Sequence, residues 1–142
     1  MNYSPNITTV NGKEQIFCDW RRKFVRLTPE EWVRQQFLHF LVEDMKYPKS
    51  RIAVEYPIEV GEVNKRCDAV VMGEHLEPLC IIEFKAENVE LSQRVFDQVA
   101  VYNRRLQVKY FVISNLKSTF VCQLTPSYYE FLPSLPAYTN LV

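Results

Sequence analysis

The chain has 142 residues, 47% of them hydrophobic, 13% aromatic and 24% charged, enough for one domain that buries roughly two thirds of the surface its unfolded form would expose. Three glycines and eight prolines exclude collagen-like and low-complexity classes, and the apolar content excludes wholesale disorder. Seventeen basic and seventeen acidic side chains cancel, so a polyanion would have to be met by a local patch rather than by a global field.

No stretch approaches the roughly 18 consecutive apolar residues of a membrane span, and residues 1 to 20 lack a basic start followed by an apolar run. A cytoplasmic location without membrane contact is expected. Cys18, Cys67, Cys80 and Cys122 are scattered, with only His39 and His75 to help them, which favours free buried thiols over a zinc site. Asn6-Ile7-Thr8 fits a glycosylation acceptor, but without a secretion signal the match carries no weight.

In chain order, residues 1 to 16 read as an N-terminal arm or loose hairpin turning at Asn11-Gly12. From Phe17 to Leu27, Arg21, Arg22, Lys23 and Arg26 mingle with Trp20 and Phe24, a pattern that suits a solvated edge or contact with phosphate and base. Thr28-Pro29-Glu30-Glu31 starts a helix: Thr28 can cap it, Pro29 fits the first position, and Glu31 can close a capping box. Trp32, Gln36, Phe37, Phe40, Leu41 and Asp44 continue at helical spacing as an expected aromatic core stripe, to about Met45, before Tyr47-Pro48 stops the helix.

Strands are expected over Arg51 to Val60, Arg66 to Met72 and Pro78 to Phe84, separated by a polar turn over Gly61 to Lys65 and by Gly73-Glu74-His75. They form an antiparallel meander, and the Leu79-Cys80-Ile81-Ile82 run points to burial on both faces. Leu91 to Leu106 is helical, with Ser92 or Asn88 as its cap. Lys109 to Ser114 and Thr119 to Leu124 supply two more strands. From Pro126 the chain has one charge, many aromatics and three prolines, an irregular apolar tail that must pack somewhere.

One constellation can carry chemistry. Asp68 sits early in the second of the three meander strands, and Glu83-Phe84-Lys85 ends the third, with Glu83 and Lys85 on one face and Phe84 on the other. A carboxylate at the end of an apolar strand is costly unless partnered. Two carboxylates and a lysine on adjacent strand ends suit Mg²⁺, which takes oxygen ligands and keeps several waters. An ordinary Glu83–Lys85 ion pair would explain the same residues.

With these residues in view, the sequence resembles the PD-(D/E)xK nuclease superfamily, specifically the N-terminal nuclease domain of type I restriction enzyme R subunits. Five blocks over residues 17 to 124 carry the resemblance: Leu27-Thr28-Pro29-Glu30-Glu31-Trp32-Val33-Arg34-Gln35; Ile52-Ala53-Val54-Glu55; Lys65-Arg66-Cys67-Asp68-Ala69-Val70-Val71; Pro78-Leu79-Cys80-Ile81-Ile82-Glu83-Phe84-Lys85-Ala86; and Phe96-Asp97-Gln98 with Tyr102-Asn103. The resemblance implies an α/β (α+β) restriction-endonuclease-like αβββαβ core, with a mixed central sheet flanked by helices, as one domain over residues 1–142 with the arm (1–16) and the tail (125–142) at its ends. It implies Asp68 and Glu83 as metal ligands, Lys85 as the catalytic lysine, Glu31 as a further metal carboxylate, and Gln98 and Tyr102 as a Gln-xxx-Tyr element that shapes the site. Cys67 stands where the family's name has proline. The helicase-like motor that follows in full R subunits has no counterpart here, so a stand-alone relative or a separated domain is expected.

The function expected is Mg²⁺-dependent hydrolysis of phosphodiester bonds in DNA, with Mn²⁺ able to substitute, alone or within a complex of restriction-modification subunits. The alternative is a non-catalytic nucleic-acid-binding or assembly module that keeps the nuclease fold. A homodimer is also expected, because the tail's Tyr128, Tyr129, Phe131, Leu132, Leu135, Tyr138 and Leu141 need cover and two-fold pairing presents two sites to two strands.

Overall fold

The computed structural model of the chain describes residues 1–127 and 129–142, without the side chains of Val60, Val63, Val101, Tyr102 and Arg105. Thr28 sets the start of the first helix: it is extended, and its Oγ1 accepts from the Glu31 backbone N–H at 3.0 Å, satisfying a donor that a helix start leaves orphaned. α1 then runs Pro29–Glu43. Its buried face carries Val33, Phe37, Leu38 and Leu41 together with Glu31, Arg34 and Gln35. The stripe expected from sequence is therefore corrected in part. Phe37 and Leu41 lie inside, while Trp32 and Gln36 are half-buried and Phe40 and Asp44 exposed, because a hydrophobic pattern cannot register a helix face that buries three polar groups.

Six strands form the central sheet in chain order: β4 (Ile52–Val60), β5 (Val63–Met72), β6 (Pro78–Phe84), β7 (Tyr110–Ser114), β8 (Thr119–Leu124) and β9 (Tyr129–Leu132). Only β6 and β7 pair in parallel; the other neighbours are antiparallel. A parallel pair needs a crossover, and α2 (Gln93–Leu106) supplies it, capped at its start by Ser92 Oγ and closed by Gln107 in the left-handed region at φ 58°. Val71, Ile82 and Val112 face α1, and Val70, Ile81 and Phe111 face α2 with Phe96, Val99 and Ala100. Helices on both faces are what make the apolar runs of β6 and β7 continuous rather than alternating. The first two meander strands meet more closely than expected, as β5 begins at Val63.

The N-terminal residues are more ordered than an arm. β1 (Ile7–Val10), β2 (Lys13–Cys18) and β3 (Lys23–Arg26) make a separate antiparallel sheet. Val10 pairs with Lys13 across a two-residue turn in which Asn11 and Gly12 both have positive φ, the geometry that Asn-Gly favours in a tight hairpin. Arg22, Lys23, Phe24 and Arg26 are exposed, as a solvated edge requires, but Arg21 turns inward.

The tail is corrected from irregular chain to β9 and a one-turn helix, α3 (Tyr138–Leu141). Leu132, Leu135, Tyr138 and Leu141 join the α1-side core, Tyr47 donates its hydroxyl to the Pro136 carbonyl, and Tyr138 donates to that of Met72 at 2.7 Å. Phe131 stays exposed, and Tyr128 lies outside the described residues. These contacts cover part of the tail with the chain's own core. All four cysteines are free and buried. No helix among the described residues is long and apolar enough to cross a membrane.

Candidate active site

The sheet parts at Asp68. On one side, β4 and β5 pair through Val54 with Ala69 and through Tyr56 with Cys67, but not through Glu55 and Asp68 between them. On the other, the β5–β6 pairing starts at Ala69 with Ile82, one step inside the level of Asp68 and Glu83. Side chains occupy the gaps. The Asp68 Oδ2 accepts from the Phe84 backbone N–H at 2.8 Å, and the Asp68 carbonyl accepts from Arg34 Nη1 at 3.1 Å. The facing also changes at this level: Val54 looks toward α1 but Tyr56 and Ile58 toward α2, and Ala69 toward α1 but Cys67 toward α2. Glu55 sits at that break with φ 52°. It is the one non-glycine residue inside a described strand in the left-handed region, a conformation costing on the order of 1–3 kcal/mol.

The parting opens a cleft of about 380 Å³, lined by Thr28, Glu30, Glu31 and Arg34 from the start of α1 and by Glu55, Asp68, Glu83, Phe84 and Lys85 from the sheet. Four of the sequence-derived site residues, Glu31, Asp68, Glu83 and Lys85, thus meet in one place. Gln98 is exposed on α2 and is not among the residues lining the cleft. The side chain of Tyr102 lies outside the described residues.

Glu83 is 8% exposed, and its ion pair is with Lys65 Nζ at 3.2 Å rather than with Lys85. Burial, and then the neighbouring Asp68 charge, push the Glu83 carboxyl up to about 7 despite the lysine. Glu31 is the opposite case. Its Oε2 accepts from Arg21 Nη2 at 2.6 Å, Gln35 Nε2 at 3.0 Å and Arg34 Nε at 3.1 Å, while Oε1 accepts from Arg34 Nη2 at 2.6 Å. Burial would raise this carboxyl too, but the hydrogen bonds from Arg34, Arg21 and Gln35 hold it down at about 2. The capping box is therefore half made: Thr28 caps the helix, and the Glu31 carboxylate goes to the arginines.

Sequence reading missed Arg21, Arg34, Glu55 and Lys65 as site residues, although Arg34, Glu55 and Lys65 lay within the blocks of resemblance. The signal that could have found Arg34 is its spacing: one helical turn from Glu31 it shares that face, so an inward Glu31 draws it inward. Arg34 also reaches Glu55 Oε1 at 2.8 Å. Among the described residues no group of three or more His, Cys, Asp or Glu side chains could hold a metal ion. The fit to a hard divalent cation rests instead on the Asp68 and Glu83 pair: two neighbouring carboxylates beside an open cleft, the buried Glu83 raised by the Asp68 charge and met by a single lysine. Mg²⁺ commonly takes one or two protein carboxylates and completes its shell with water and phosphate.

The fold is shared with a solved structure. A nuclease candidate belonging to DUF820 from Anabaena variabilis ATCC 29413 superposes with a TM-score of 0.52 at 12% identity, over 95% of this chain and 88% of that one. The type IIG restriction endonuclease BpuSI matches at TM-score 0.48 and 22% identity over 67% of this chain, which spans only 11% of that enzyme's length. No curated protein matches. The fold is restriction-endonuclease-like, a mixed six-stranded sheet between helices. The family model for the type I restriction enzyme R protein N terminus matches residues 29–136, which take in α1, the whole central sheet and every residue of the cleft except Thr28, and the chain belongs to that family.

Proposed function

We propose that this chain is a divalent-cation-dependent endonuclease domain that hydrolyses phosphodiester bonds in DNA, using Mg²⁺, with Mn²⁺ able to substitute. The observation that carries the reading is the meeting of Asp68 and Glu83 on parted strands, with the buried Glu83 carboxylate met by a single lysine and Lys85 on the same cleft. An assembly module needing only the fold gains nothing from burying an underpartnered carboxylate.

Asp68 and Glu83 are the residues that would hold the cation. The chemistry the cation would supply there is polarisation of a phosphoryl oxygen and a more acidic water. Lys85 supplies an amine donor at the cleft; its part is to orient the attacking water and to stabilise the charge that builds on the phosphoryl oxygens. Phe84 anchors Asp68, its ring in the α1-side core and its N–H on the Asp68 carboxylate. DNA is the substrate class that the family relation favours, with other restriction-modification subunits as partners and the cytoplasm as the compartment where they meet. An overall neutral chain fits action within such a complex, where a partner supplies the field that draws DNA in.

Nicking of supercoiled plasmid tests this. The native chain with Mg²⁺ or Mn²⁺ is expected to cut, and Lys85→Ala to lose about 10²- to 10³-fold in rate while binding Mn²⁺ as the native chain does. Cutting at the native rate by Lys85→Ala contradicts the role of the lysine, and DNA binding without any cutting favours the non-catalytic module.

A further inference from the structure

Glu31 resembles a metal carboxylate by position, yet its oxygens are occupied by two guanidinium groups and a carboxamide. Arg34, which Glu31 grips at both Nε and Nη2, uses its remaining Nη1 on the Asp68 carbonyl and on Glu55. Arg34 is 8% exposed, so its position is fixed by packing as well as by charge. The residue it reaches is the one at which β5 loses ladder contacts to both neighbours. Without that bond the Asp68 carbonyl would face the left-handed kink at Glu55 with no β4 partner.

We infer that Glu31 is a clamp rather than a ligand: it aims Arg34, and Arg34 with Glu55 holds the Asp68 backbone so that its carboxylate faces Glu83 across a site for a single cation. Arg34 is thus a positioning residue. The inference rests on the reading of Asp68 and Glu83 as the cation's ligands, and it adds that the third carboxylate is spoken for. The geometry separates two schemes that differ in sign. If Glu31 were a latent ligand with arginine as a placeholder, removing Arg34 would release a carboxylate into the cleft, raising affinity or adding a second ion. If Arg34 positions Asp68, removing it loosens the Asp68–Glu83 site.

The test is calorimetric titration of Mn²⁺ alone into the full-length native chain and into Arg34→Met, well below each protein's melting temperature, with circular dichroism verifying that the variant is folded. One ion per native chain is expected, and a roughly 10- to 100-fold weaker single site in Arg34→Met, the loss typical when a group supporting a ligand is removed. Two ions per native chain, or tighter binding or a second ion in Arg34→Met, overturns the clamp while leaving a cation site at Asp68 and Glu83. No Mn²⁺ binding by the native chain overturns the cation site and the clamp with it. Should Arg34→Met fail to fold, Glu55→Gln takes its place: it leaves Arg34 on Glu31 but weakens its second anchor, so an affinity below native is expected and native affinity overturns the inference.

Discussion

The two walls of the cleft treat a buried glutamate in opposite ways. On the helix wall, Glu31 has a full set of donors and is held ionised down to about pH 2. On the sheet wall, Glu83 is buried to a similar depth, yet it has one lysine at 3.2 Å and a carboxyl raised to about 7. Burial alone does not separate them; the supply of oriented donors does. A carboxylate whose hydrogen bonds are complete contributes to the fold and has little left for a ligand. One left short of donors costs stability, and that cost is recovered only when a cation or a proton arrives.

Removal of each carboxylate breaks the comparison most sharply. Glu31→Ala strands Arg34 in the protein with only the half-exposed Glu55 to meet its charge, so a loss of about 3–5 kcal/mol is expected in urea denaturation. That is a large share of the roughly 5–15 kcal/mol of an ordinary domain. A loss below about 1 kcal/mol would show that the arginine pair finds water and that the clamp is slack.

The two walls should also respond to pH in opposite senses. Between about 2 and 4.5 the folded chain binds fewer protons at Glu31 than the unfolded chain, so this contribution, about 3 kcal/mol, is complete above 4.5 and is lost as pH falls toward 2. At Glu83 the folded chain binds more protons between 4.5 and about 7, so its contribution is present below 4.5 and is lost as pH rises through 7. Denaturation at a series of pH values in a chelating buffer should therefore show a decline from pH 5 to 8 that Glu83→Gln removes and an acid limb that it leaves intact. An unchanged decline in Glu83→Gln would place its origin elsewhere.

The sequence carried the helix starts, the meander and the crossover because each is written in short-range chemistry: Thr28 and Ser92 as caps, Asn11-Gly12 as a turn, apolar runs in β6 and β7. The tail's order was hidden by Pro126, Pro133 and Pro136, since proline breaks the periodic pattern without preventing an edge strand or a packed last turn. Asp68, Glu83 and Lys85 stood out because charge is unusual at the end of an apolar strand. Arg34 and Arg21 did not, because an arginine drawn inward by a buried glutamate looks in sequence like any surface arginine. Glu55 lies within a block of resemblance yet carries no signal of its own, for its left-handed backbone is a tertiary outcome that no local preference of glutamate announces.

The most direct measurement is the binding isotherm of Mn²⁺ for the native chain against Asp68→Asn. Asparagine can still accept from the Phe84 N–H, so the strand junction keeps its bond while the charge is gone. One ion should bind the native chain, with affinity at least about tenfold weaker in the variant. Equal affinity in the two proteins would contradict a cation held between Asp68 and Glu83.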